Sequence, residues 1–144
     1  MFNDILEEYN EGTVPYIKVS DLNEDYRDVI FLDAREQKEY EVSHLPNAIF
    51  VGYKDFDPQT TATFLKDPKQ TIVVYCSVGV RSEDVAHQLK EQGYLNVFNL
   101  YGGIFDWFNH KQPVYNTQNK KTDSIHAYSK SWSRYLTRGI KIYE

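Results

Sequence analysis

The run Thr71-Ile72-Val73-Val74-Tyr75 constrains the fold more than any other feature of this chain. It is β-branched and apolar nearly throughout, without the alternation of a strand that keeps one face in water. Such a run suits a parallel strand covered on both sides. A helical pattern follows over Glu83–Gln92. Ser82 is a good N-cap, Glu83 and Asp84 suit a first turn, and Gly93 is a good stop. Val85, Ala86 and Leu89 give that helix one apolar face. The same alternation recurs along the chain. Strands are expected over Tyr16–Val19, Val29–Leu32, Ala48–Val51, Thr71–Tyr75 and Val97–Leu100. Helices are expected over Ile5–Tyr9, Asp21–Asp25, Glu36–Val42, Thr61–Leu65, Glu83–Gln92 and Ile104–Asn109. The pattern predicts an α/β fold with a central, mostly parallel five-stranded sheet, right-handed crossovers and helices on both faces. A chain of 144 residues is one domain with a substantial core.

Between that strand and that helix lies Cys76-Ser77-Val78-Gly79-Val80-Arg81-Ser82, which holds the only cysteine of the chain. In α/β folds, ligands sit beyond the carboxyl ends of the strands. Cys76 lies at such an end, and so do Asp33 and Arg35. A loop leaving a strand can curl so that successive N–H groups form an anion-binding nest. The next helix adds about half a positive charge at its N-terminus, and Arg81 adds a permanent one. Each favours the thiolate, which is the nucleophile. A cysteine acting only as a small buried hydrophobe would need neither Gly79 nor Arg81. One cysteine excludes an internal disulfide. Histidines 44, 87, 110 and 126 show no ligand spacing, so no metal and no cofactor are expected.

The net charge of −5 hides an asymmetry. Residues 1–115 carry 10 Lys and Arg against 19 Asp and Glu, whereas residues 116–144 carry 6 against 2. The basic stretch is expected to dock on the acidic body, because a body of that sign repels phosphates. That stretch holds Tyr128, Trp132, Tyr135 and Leu136; the last three would form one face of a short helix, and these side chains would plaster onto the domain or wall the mouth of the site and select the acceptor. No nucleic-acid or membrane partner is expected, since no apolar run approaches the length of a membrane span. The acidic start, Met1 to Glu8, lacks the basic-then-apolar order of a signal peptide, and an unpaired thiol suits the cytoplasm.

Four patches carry a family resemblance. They are Leu32-Asp33-Ala34-Arg35-Glu36 with Tyr40; Ser43-His44-Leu45-Pro46-Asn47-Ala48; Val73 to Ser82; and Leu100-Tyr101-Gly102-Gly103-Ile104 with Trp107 and Pro113-Val114. In this order, over residues 14–115, the chain resembles the single-domain rhodaneses, a sulfurtransferase family. The resemblance implies a rhodanese-like domain over 14–115, an N-terminal helical segment over 1–13 and a C-terminal extension over 116–144 packed on the domain. It implies that the Cys76 thiolate takes a sulfane sulfur from a small anionic donor such as thiosulfate. The resulting persulfide passes to cyanide, a thiol or a protein. Backbone amides of Ser77, Val78, Gly79, Val80, Arg81 and Ser82 would cradle the sulfur, and Arg81 would hold donor oxygens. Asp33 and Arg35 match the family's Asp-x-Arg and would orient the loop. His44, in the His-x-Pro turn, takes a structural role. Gly102-Gly103 would make a positive-φ turn beside the loop, and Trp107 would pack in the core.

The chain departs from the family pattern at three points. Ser43 and Asn47 replace glycines around the His-x-Pro turn, and Asn tolerates the left-handed geometry needed there. Glu39 stands where some thiosulfate-using members have a cation, and a carboxylate near the mouth repels a dianion. Ser77 and Val78 make the loop less basic. A protein persulfide or another thiol-bound sulfane therefore stands beside thiosulfate as donor. A persulfide carrier or sensing module with little free turnover would share this first half-reaction. A Cys-dependent phosphatase or arsenate reductase of related fold typically has Cys-x5-Arg, against the Cys-x4-Arg spacing of Cys76 and Arg81.

Overall fold

The computed structural model describes residues 1–22 and 26–144. Its centre is a five-stranded, all-parallel sheet. The strands are β1 (Tyr16–Ile17), β2 (Val29–Asp33), β3 (Ile49–Phe50), β4 (Thr71–Tyr75) and β5 (Asn96–Leu100), in the order β1-β5-β4-β2-β3. The most apolar run of the sequence is thus the central strand. Its side chains alternate between two cores, as the period of two dictates. Val73 and Tyr75 enter one core with Phe105 and Trp107, while Ile72 and Val74 enter the other with Val85 and Leu89. Both faces are covered, which is why β4 needed no polar alternation.

Six helices connect and flank the strands: α1 (Phe2–Tyr9), α2 (Val19–Leu22), α3 (Gln37–Val42), α4 (Pro58–Ala62), α5 (Arg81–Glu91) and α6 (Gly103–Asn109). Some bounds differ from expectation for local reasons. The strand expected to Val19 ends at Ile17, and Val19 opens α2. Residues 23–25 of the helix expected over Asp21–Asp25 lie outside the described residues. The helix expected over Thr61–Leu65 is instead Pro58–Ala62. Asp57 caps it by accepting from the Gln59 N–H, and Pro58 fits its first turn, where no N–H is needed.

The last thirty residues form two small ribbons. Strand β6 (Val114–Tyr115) pairs antiparallel with β7 (Lys121–Thr122), and β8 (Ser124–His126) pairs parallel with β9 (Ile140–Ile142). The expected short helix is a single 3-10 turn, Ser133–Tyr135. Tyr135 and Leu136 are buried in the domain core with Ile125, while Trp132 is only half-buried against it. Tyr135 stacks on Phe2 at 5.4 Å. Charge does not dock this segment: among the described residues none of its cations pairs with a body carboxylate. Instead Arg138 lies over the Phe108 ring at 4.1 Å and Lys130 over Tyr143 at 3.9 Å. Apolar burial and ring contacts hold the extension in place. Among the described residues no helix is long and apolar enough to cross a membrane.

Candidate active site

Cys76 follows the last residue of β4, and its side chain is fully buried. The sulfur accepts the Gly79 N–H at 3.1 Å. Ser82 Oγ lies 3.4 Å from it and 2.6 Å from Asn99 Oδ1, so the shorter contact holds the single hydroxyl proton. Of the amides expected to cradle the sulfur, Gly79 is the one that donates to Sγ among the described residues. Several loop carbonyls are bound by groups other than the sulfur's own donor. Cys76 O accepts from the Ile104 N–H and Ser77 O from the Phe105 N–H, both at the start of α6. Gly79 O accepts from Asn10 Nδ2 and Asn99 Nδ2, each at 2.9 Å. This arrangement requires Gly103, at φ 56°, where any Cβ would collide with the Cys76 and Ser77 carbonyl oxygens. The expected positive-φ turn is present at both Gly102 and Gly103.

Helix α5 starts two residues earlier than expected, at Arg81, so Ser82 is not its N-cap. Val80 occupies that position without a side-chain bond, and Ser82 is freed to face Asn99. Glu83 accepts the N–H groups of Glu11, Gly12 and Thr13, at 2.9, 2.8 and 3.2 Å. It thereby ties the chain before β1 to the first turn of α5. Val78 is buried in the apolar core.

Two arginine–carboxylate pairs stand beside the loop. Asp33 binds Arg35 through both oxygens, at 3.0 Å to Nε and 2.6 Å to Nη2. Tyr75 donates its hydroxyl to Asp33 at 2.7 Å, and Arg35 donates to Ser43 O at 2.7 Å. All three side chains are fully buried. Burial alone would lower the basicity of Arg35, but the Asp33 charge and hydrogen bonds raise it. Burial, then the Asp33 carboxylate, keeps the Tyr75 phenol protonated well beyond its usual range. In the second pair, Arg81 forks onto Glu39, with Nη1–Oε2 at 2.8 Å and Nη2–Oε1 at 3.0 Å, and donates to Ser77 Oγ at 2.9 Å. Burial would raise the Glu39 carboxyl, but Arg81 holds it below the ordinary value of 4.5. The Tyr128 ring covers the guanidinium face at 4.5 Å. Arg81, expected to hold donor oxygens, is here turned onto protein partners.

His44 lies where the His-x-Pro turn meets β6. Its backbone exchanges two 2.9 Å bonds with Tyr115, its Nδ1 is 3.0 Å from Tyr40 O, and its ring stacks on Tyr40 at 4.0 Å. Asn47 adopts the left-handed φ of 58°. Trp107 is fully buried and donates to Pro113 O. Asn10, Glu83 and Asn99 also support the site, and of the aromatic residues of the extension it is Tyr128 that reaches it. Asn99 left a trace, being a polar residue within the apolar run Val97–Leu100. Tyr128 shows in the sequence only as one aromatic of the basic extension, because its place over Arg81 depends on how the extension folds back.

Residues 18–110 match the rhodanese-like domain family, and the chain belongs to it. A tRNA uridine(34) hydroxylase of Photorhabdus laumondii is 37% identical over 100 residues, covering 66% of this chain and 28% of that protein. The hydroxylase of Yersinia enterocolitica is 35% identical over 97 residues, again 28% of its length. The chain thus spans just over a quarter of these curated relatives. Among solved structures, a rhodanese with anions from E. coli is 28% identical with a TM-score of 0.53, covering 61% of this chain and 98% of that one. A thiosulfate sulfurtransferase from Pseudomonas aeruginosa, 22% identical, shares the fold with a TM-score of 0.67 over 94% of this chain and 25% of that one.

Proposed function

We propose that this protein is a sulfurtransferase in which Cys76 carries sulfur as a persulfide. The observation that carries the proposal is the sulfur itself. It sits at the carboxyl end of the central strand, bonded by the Gly79 amide, in a loop where the Cys76, Ser77 and Gly79 carbonyls have partners of their own. A backbone N–H donated to the sulfur suits its anionic form. The Cys76 thiolate attacks the outer sulfur of the donor, a Cys–S–S bond forms, and the donor's own S–S bond breaks. Sulfite leaves if the donor is thiosulfate, and a thiolate leaves if it is an organic persulfide. A thiophilic acceptor (cyanide, a thiol or a protein cysteine) then attacks the outer sulfur and restores the Cys76 thiolate. Two such half-reactions give ping-pong kinetics. Asp33, Arg35 and Tyr75 position the loop and do not touch the reacting atoms. A reducing compartment such as the cytoplasm keeps the single thiol free.

A second role follows from the curated relatives, which carry this domain within a tRNA uridine(34) hydroxylase. In it, Cys76 would serve as the reactive group of a tRNA-modifying protein. Intact mass after incubation with a sulfane donor separates the two. Sulfur transfer predicts a gain of about 32 Da on wild type, discharged by cyanide and missing from Cys76→Ser. Silence with thiosulfate and with an organic persulfide alike would end the sulfurtransferase proposal and leave the tRNA role standing.

A further inference from the structure

The fork of Arg81 is the natural place for the three oxygens of a sulfonate head. It is already occupied. Glu39 takes one N–H from each terminal nitrogen, and Ser77 Oγ takes another. Tyr128 closes the planar face. Nε is the one guanidinium nitrogen without a partner among the described residues. The pair is built rather than incidental: Glu39 is fully buried, Arg81 is 7% exposed, and the Glu39 carboxylate also caps α3 by accepting the Glu36 N–H. Tyr128 is held over Arg81 by its own device, since its N–H is accepted by Nδ1 of the buried His126 at 3.0 Å. Its ring stacks on Trp132 at 4.5 Å. Tyr128 belongs to the extension, beyond the residues that match the family.

We propose that Glu39 and Tyr128 set the donor class of Cys76: by occupying the edge and face of Arg81 they exclude dianionic thiosulfate and leave low-charge organic persulfides, R–S–SH, as donors. This rests on the sulfurtransferase proposal above. Transfer from R–S–SH balances without another reactant. Cys–S⁻ and R–S–SH give Cys–S–SH and R–S⁻, and the sulfane sulfur keeps its oxidation state throughout. No sulfonate head needs a cation in that step, so Arg81 can remain a tie between α3, the loop and the extension. With thiosulfate, a second and third negative charge would meet the Glu39 carboxylate.

The experiment loads reduced protein with either thiosulfate or the persulfide of N-acetylcysteamine, which has no charge outside its persulfide group. Intact mass follows the adduct against time and donor concentration. Wild type is expected to load from the persulfide at least about tenfold more efficiently than from thiosulfate. Glu39→Gln preserves shape and leaves the Arg81 charge uncompensated. It is expected to improve thiosulfate loading by about tenfold relative to persulfide loading, through a lower half-saturating concentration for thiosulfate. Tyr128→Ala should act in the same direction, less strongly. Should Glu39→Gln fail to fold, the half-exposed Tyr128 still decides the matter. Equal use of the two donors by wild type would overturn the proposal, as would folded variants with an unchanged donor ratio. Loading from neither donor would overturn the sulfurtransferase proposal itself, and this one with it.

Discussion

Asp33–Arg35 and Glu39–Arg81 are the same chemical object in two settings. Each is a guanidinium forked onto a carboxylate, with one nitrogen unpaired among the described residues, Nη1 in Arg35 and Nε in Arg81. The first is sealed. Its other partners are the Tyr75 hydroxyl and the Ser43 carbonyl, and no part of it meets solvent. The second stands at the rim. Its other partners are the hydroxyl of Ser77, within the reactive loop, and the ring of Tyr128, which is 42% exposed. A sealed charge has to be neutralised by the fold itself. A charge beside a partly exposed group can be masked by partners drawn from different elements, and the identity of those partners decides what an incoming ligand meets. Enclosure, more than residue type, separates the tie from the selector.

The largest expected effect tests the sealed side. Arg35→Met strands the Asp33 carboxylate in the interior and should cost about 3–5 kcal/mol, enough to remove much of a domain's stability. Arg81→Met leaves Glu39 buried but beside the partly exposed Tyr128, whose displacement would admit water, and should cost about 1–3 kcal/mol. Urea unfolding of both variants measures the difference. If Arg81→Met proves the more costly, the rim pair is the structural one and the contrast is inverted.

The sequence shows the sealed pair more clearly than the rim pair, and there is a reason. Asp33 and Arg35 are two residues apart at the end of a run that reads as a strand, so local pattern alone places them together beyond the sheet. The central strand, the Cys76 loop and the Gly102-Gly103 turn are legible for the same reason, because β-branched runs, a lone thiol and paired glycines are local signals. Glu39 and Arg81 lie 42 residues apart, and their contact is fixed only when α3 packs beside α5's N-terminus. Tyr128 reaches Arg81 from 47 residues downstream through ribbons of two and three residues, too short to announce themselves as strands. Ser82 misled for an instructive reason. It is a good N-cap by residue type, but its hydroxyl is drawn to Asn99 on a neighbouring strand, and the helix begins two residues sooner, at Arg81.

Acid titration separates the two groups that hold the rim. Burial lowers the His126 imidazole below 6.5, helped by Arg35, Lys38 and Arg81 and opposed by Glu39. The geometry agrees, because protonation would put a hydrogen on Nδ1 facing the Tyr128 N–H. A depressed histidine leaves stability intact above 6.5 and erodes it as pH falls below that value, by at most about 1.4 kcal/mol per pH unit. Glu39 is likewise depressed, so its contribution is present above 4.5 and is lost as pH falls further. Melting temperature should be level from pH 8 to about 6.5, decline gently towards 5 and drop steeply below 4.5. His126→Gln should flatten the upper decline alone. A wild-type profile with no change between 6.5 and 5 would remove His126 from the rim.

The smallest effect concerns the conformation that holds Tyr128 over Arg81. Tyr128 has φ 69°, a left-handed backbone that costs a side-chain-bearing residue about 1 kcal/mol. The ring contact with Arg81 returns about 0.5–1 kcal/mol at a site this exposed. Tyr128→Ala loses the ring and keeps the strain, whereas Tyr128→Gly loses both. Thermal melts should therefore rank Tyr128→Gly above Tyr128→Ala by about 1 kcal/mol, with wild type close to the glycine variant. Donor selection should follow the ring and ignore the backbone, so both variants should gain thiosulfate loading to the same extent. If only Tyr128→Gly gains it, the freedom of the 126–129 turn controls access to Cys76, and the ring is an incidental cover.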